Sequence, residues 1–173
     1  FLVLILNPPM HTLFLDLASH STFPNEGACI ACVSEEKTAS IRFVDNRIGD
    51  DGLMPLLGEV LKEAGWPAPR SLGAGGSDHD LTHIACVIGP GGYTSLRMAV
   101  TLANVYGDQL NVPIAGLRLD EVYEARASAP IPGRRNNEPQ QEASDFIWFH
   151  STKKTQLFVR GFGEYASLWN EPT

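Results

Sequence analysis

The sequence predicts an α/β fold: a mixed β-sheet opened by a three-strand antiparallel meander and completed by β-α-β crossovers that lay helices on its faces. Two observations carry this expectation. Residues 12–44 hold three short apolar runs, and a charged turn of hairpin length separates the second from the third. Further on, Ile84 to Tyr106 (IACVIGPGGYTSLRMAVTLANVY) places an apolar run, a glycine-rich turn and a long apolar segment in immediate succession. That is the order strand, turn, buried helix.

Each element has its own local reason. Thr12 to Ser19 (TLFLDLAS) is strand-like with one acidic residue, Asp16, among apolar neighbours. Gly27 to Ser34 (GACIACVS) and Thr38 to Val44 (TASIRFV) supply the second and third strands around Glu35-Glu36-Lys37. Asp50 or Asp51 then caps a helix whose Leu53, Leu56, Leu57, Val60, Leu61 and Ala64 follow the i, i+3, i+4, i+7 spacing of a single apolar stripe. Pro55 is acceptable because it falls near the first turn, and Gly65 with Pro67 ends the helix. A loop rich in Gly, Pro and Asp covers 66–83.

The strand Ile84 to Ile88 runs into Gly89-Pro90-Gly91-Gly92, which continues neither regular element. Thr94 is the expected N-cap of the next helix, which is apolar on most sides as far as Val105 and is followed by Gly107. A strand at Val112 to Leu117 and a helix near Leu119 to Ala127 follow. Residues 128–143 are polar, contain proline and lack periodicity, and are read as a linker or loop. Two strands, Asp145 to His150 and Thr155 to Phe162, form a final hairpin. The expected organisation is therefore a lobe over 10–127, the linker, and the start of a reduced second lobe over 144–173. Three strands, helix, strand, helix, strand, helix is the order of a ribonuclease-H-like, or actin-like ATPase, lobe.

Composition narrows the function. The chain has 173 residues, 43% of them hydrophobic, enough to bury a core without disulfides or metal. A formal net charge of −7 argues against nucleic-acid binding by this chain alone, since phosphate contacts need a basic surface. Three cysteines with no framework spacing point to reduced thiols in the cytoplasm. No stretch reaches the roughly 20 apolar residues that span a bilayer. Phe1 to Leu6 is apolar but short, and the residues before Met10 are read as an upstream extension.

Local chemistry offers several temptations. Cys29-Ile30-Ala31-Cys32 matches C-x-x-C, but residues three apart on a strand point to opposite faces, which favours two core thiols. Asp78, His79, Asp80 and His83 are metal-ligand types without a ligand spacing, in a loop where Asp is a common turn former. Arg134-Arg135 is read as a solvated pair, and Ser95 lies inside a helix, out of place for a nucleophile elbow. The glycine turn before a helix N-terminus can hold a phosphate, with Arg97 one turn in, yet no Gly-Lys-Ser/Thr follows it.

The segment Gly89 to Ala99 (GPGGYTSLRMA) resembles the motif G-P-G-S-F-T-G-L-R-I-G of the TsaB (YeaZ) family of tRNA threonylcarbamoyladenosine synthesis, sharing Gly89, Pro90, Gly91, Thr94, Leu96 and Arg97. Leu13 to Ser19 and Asn111 to Gly116 resemble the family's opening and a later strand. The resemblance covers most of 12–127. It departs at Gly92, Tyr93, Ser95 and Ala99, and at His150 to Phe158, where the family's Asp and Arg are missing. The resemblance implies either a short or divergent member or one of which part of the second lobe is missing from this sequence. The resemblance implies a non-catalytic subunit that pairs with a TsaD-type transferase, alongside a TsaE-type ATPase, through its two long helices. Leu53, Leu56, Leu57, Val60, Leu96, Val100 and Ala103 are the expected interface. It implies no firm cofactor, ATP or ADP with Mg²⁺ being confined to a partner interface, and Asp16 as a vestigial nucleotide residue. Two alternatives stay open: a small actin-like-fold ATPase or phosphotransferase using Asp16 and the Gly89–Thr94 turn, and a homodimeric pseudo-subunit.

Overall fold

The computed structural model describes residues 10–19, 27–34, 38–44, 50–66, 80–128, 145–153 and 156–170. Five strands form the first sheet: β1 (His11–Asp16), β2 (Cys29–Ser34), β3 (Thr38–Phe43), β4 (His83–Gly89) and β5 (Ile114–Arg118), in the order β3-β2-β1-β4-β5. The meander β1-β2-β3 is antiparallel, while β1 with β4 and β4 with β5 are parallel. This is the mixed sheet that the sequence predicts.

The register explains the core. Leu13 faces Cys32 on one side and Ile84 on the other, and Leu15 faces Ile30 and Cys86. Because side chains alternate along a strand, these residues all lie on one face. Helices α1 (Asp50–Glu63) and α2 (Tyr93–Leu110) cover that face. α1 lies against β2 and β3, and α2 against β4, β1 and β5. Leu53, Leu57, Val60 and Leu61 meet Ala99, Leu102, Ala103 and Tyr106 in one buried cluster with the strand residues.

The opposite face carries a second cluster of Ala18, Val87, Leu119, Trp148 and Phe162. It is closed by α3 (Leu119–Ser128) and by a separate antiparallel sheet, β6 (Phe146–Lys153), β7 (Gln156–Phe162) and β8 (Trp169–Asn170). The expected hairpin is thus three-stranded, and β8 follows a short 3-10 turn at Gly163–Tyr165. The chain folds the hairpin's Phe146, Trp148, Phe158 and Phe162 back onto the first sheet.

Several local expectations are corrected. Thr94 is not the N-cap of α2: Gly92, with extended backbone, occupies that position without a side-chain cap bond, so Thr94 is already inside the first turn. Gly107 does not end α2 but lies within it, because a Cβ there would come within 2.5 Å of Ile114 Cδ1. A larger residue there would have to push the exposed Ile114 side chain aside. Termination falls to Asn111 in the left-handed region, its N–H donating to the Asp108 and Gly107 carbonyls. Pro55 lies in the second turn of α1, since the helix starts at Asp50, and costs one i→i−4 bond there. Ser128, expected to open the linker 128–143, is the last residue of α3, and the rest of that linker, Arg134-Arg135 included, lies outside the described residues with Asp78 and His79.

Candidate functional site

β1 and β4 are parallel neighbours, so the segments leaving their C-terminal ends emerge side by side. That edge of an open α/β sheet is where ligands characteristically bind. One segment is the turn Asp16-Leu17-Ala18-Ser19, and the other is Gly89-Pro90-Gly91-Gly92, which leads into α2.

Asp16 is buried, and its environment decides its role. Oδ1 accepts the Ala18 N–H at 2.9 Å and the Ser19 N–H at 3.0 Å, while Oδ2 accepts the Ser19 hydroxyl at 2.5 Å. The carboxylate therefore closes its own turn, satisfying two backbone donors that would otherwise be buried unpaired. Ser19 is the residue that sequence reasoning missed. Its signal was the Asp-x-x-Ser spacing, in which the side chain at i reaches the backbone at i+2 and i+3.

The glycine turn is shaped by two demands. Gly89 has φ +127°, a region that L side chains rarely adopt, and the Gly89–Pro90 peptide bond is cis. Gly91 is held by proximity instead: a Cβ there would lie 2.8 Å from the Ala18 Cβ and 3.3 Å from Leu96 Cγ. The two turns are thus packed backbone to backbone, with Ala18 as the point of contact. Arg97 is exposed and its guanidinium lies 5.7 Å from the centre of the Tyr93 ring, a cation–π arrangement on the outer surface of α2. Tyr93 itself is 77% exposed.

The stripe expected at a partner interface is largely occupied within the chain. Leu53, Leu57, Val60 and Ala103 belong to the buried cluster beneath the helices, because their stripe faces the sheet. Leu56 and Val100 are half-buried against that cluster, and Leu96 is half-buried against the second one. What α1 and α2 present outward is different: Met54, Glu59 and Lys62 on one, Arg97, Thr101, Asn104, Val105 and Asp108 on the other. The all-round apolar character expected of α2 gives way to a mostly polar outer face.

Cys29 and Cys32 lie on opposite faces of β2, both buried, as does Cys86 on β4. Burial pushes the Cys29 and Cys32 thiols up to about 12, with the nearby Asp16 charge adding to the shift at Cys29, and Cys86 up to about 11. They are inert core thiols. Among the described residues no three His, Cys, Asp or Glu side chains are grouped to hold a metal ion. Asp80 and His83 are both exposed, and the Asp80 carbonyl lies 2.9 Å from His11 Nδ1. Among the described residues no helix is long and apolar enough to cross a membrane.

A second cluster escaped sequence reasoning. Asp120, at the start of α3, is fully buried and pairs with Arg118 at the end of β5 (3.1 Å) and with Arg160 of β7. Arg118 is the ladder partner of Gly89, so this cluster adjoins the glycine turn.

Comparisons with known proteins agree with this architecture. Residues 51–130 match the TsaD family, tRNA N6-adenosine threonylcarbamoyltransferase. A search of the curated proteins gives no match. Among solved structures, the fold is similar to an uncharacterised protein with similarity to peptidase YeaZ from Pseudomonas aeruginosa. That pair has a TM-score of 0.61 and 17% identity over 91% of this chain and 62% of the other. It is also similar to YeaZ from Pseudomonas aeruginosa, with a TM-score of 0.50 and 22% identity over 68% and 49% of the two chains. The chain thus spans less than two thirds of the length of these structures. The family match thus runs from α1 through α3, and the fold around it is similar to that of the YeaZ structures.

Proposed function

We propose that this chain is a non-catalytic scaffold subunit serving threonylcarbamoyl modification of adenosine in tRNA. It would pair with a TsaD-type transferase, with a TsaE-type ATPase completing the assembly. The observation that carries the reading is the state of Asp16: both carboxylate oxygens are engaged by its own turn, through Ala18 and Ser19. A nucleotide-bound cation would have to displace these bonds from a buried group. The scaffold would meet its partner through the outward faces of α1 and α2, where Met54, Leu56, Val100 and Val105 supply apolar area between polar residues. ATP or ADP with Mg²⁺, where it takes part, would sit at the partner interface.

The test is co-elution of the purified chain with a TsaD-type protein in gel filtration. A heteromer is expected, weakened by Met54→Glu and Val105→Glu, both at exposed positions where a charge leaves the fold intact. Separate elution of the wild-type proteins would remove the scaffold reading. Light scattering of the chain alone distinguishes a homodimeric pseudo-subunit.

A small ATPase or phosphotransferase remains as a second reading, favoured by the backbone-to-backbone packing of the Asp16 and Gly91 turns at the ligand-binding edge of the sheet. Calorimetry with ATP and Mg²⁺ separates the two. An enzyme would bind with an affinity that falls on Asp16→Asn, and the scaffold alone would release no heat.

A further inference from the structure

Among the described residues the two sheets share no strand ladder. Where β6–β8 meets the first sheet, the cluster it closes includes Ala18 and Val87, buried, and Phe14 and Leu96, half-buried. Ala18 and Leu96 are the residues against which Gly91 is packed. The second sheet therefore lies directly over the floor of the candidate site. Among the described residues the join also holds a buried ionic contact. Asp120 is 0% exposed and accepts from Arg118 Nε at 3.1 Å through Oδ1, and from Arg160 Nη1 through Oδ2. Arg118 and Asp120 belong to the first layer, Arg160 to the second. Trp169 of β8 stands with its ring centre 5.2 Å from the Arg118 guanidinium and 5.4 Å from that of Arg160. Arg160 also lies 4.9 Å from the Phe162 ring and 3.8 Å from Glu124.

We propose that β6–β8 is a cover that detaches from the first sheet and unravels as one cooperative unit, because a hairpin with only a two-residue third strand is marginal without its apolar support, and that the Asp120–Arg160 pair is its catch. Side-chain packing without shared backbone bonds gives a segment its own, lower opening free energy than the ladders on either side of it. A buried carboxylate bridging two arginines fixes the closed position, because opening leaves Asp120 with only its Arg118 partner. Opening exposes Ala18 and so frees the space beneath the Asp16 and Gly91 turns. The inference is independent of which partner the chain serves.

Hydrogen exchange of the full chain, read by mass spectrometry, tests it. In the wild-type protein, amides of 146–162 should exchange faster than those of 11–16 and 83–89. Asp120→Asn should accelerate 146–162 by at least about tenfold, the scale of a lost charged hydrogen bond, and leave 11–16 and 83–89 unchanged. Arg160→Gln, which keeps the Arg118–Asp120 pair, should act on the same segment. Equal acceleration of both sheets, no acceleration in either variant, or failure of both variants to fold would each overturn the proposal.

Discussion

Exchanging the small residues at the contact of the two turns gives the sharpest test of the site geometry. In Gly91→Ala the new Cβ would sit 2.8 Å from the Ala18 Cβ, about 1 Å inside a comfortable carbon–carbon separation. Ala18 is fully buried among Val87 and Leu119, and Leu96 closes the other side, so neither turn can yield freely. Overpacking of this kind costs roughly 1–3 kcal/mol. At about 2 kcal/mol, and an m-value near 2 kcal/mol/M, the urea midpoint should fall by about 1 M. Adding Ala18→Gly removes the methyl that is struck, and the double variant should recover about 1 kcal/mol or more beyond the sum of the single changes. Gly58→Ala is the control, because nothing lies within 4 Å of its Cβ direction on α1. It should stabilise by about 0.5–1 kcal/mol through helix propensity alone. An unchanged midpoint in Gly91→Ala, or strict additivity in the double variant, would refute the packed-turn account.

Other perturbations follow from the same structure. Leu57→Asp places a charge at a fully buried position and should unfold the chain outright by circular dichroism, not merely detach a partner. Ser19→Ala removes the hydroxyl from Asp16 Oδ2 and should lower stability by about 1–2 kcal/mol in urea melts, with Asp16→Ala costing more because two backbone donors also lose their acceptor. The three thiols should stay unmodified by a disulfide reagent at pH 8 in the native protein and react on denaturation. Their folded values, about 11 to about 12, lie above the unfolded value of 9.0, so the folded state holds protons that the unfolded state releases. Stability is then fully present below pH 9 and falls as pH rises through that window, which urea midpoints at pH 8 and pH 10 should reveal.

Periodicity made much of the fold legible. The alternation in the first 44 residues and the stripe from Leu53 to Leu61 required strands and a helix with one buried face, whatever surrounded them. The glycine turn at Gly89 to Gly92 was equally readable, since positive φ and close approach both leave their mark as glycine in the sequence. Helix ends were read less well. Thr94 had the right chemistry for a cap, but the extended Gly92 started α2 earlier, and Gly107 had the right chemistry for a stop but served contact with Ile114.

The sequence by itself determined that this chain builds a mixed sheet with two long helices and a glycine turn at its edge, because those features depend on neighbours within a few residues. Only the tertiary structure decided what the features face. It turned Leu57 and Ala103 inward, engaged Asp16 with its own turn, and brought Arg160 across 40 positions to a buried Asp120. Burial and ion pairing depend on which surfaces meet, and that is fixed by the packing of whole layers, which no local pattern encodes.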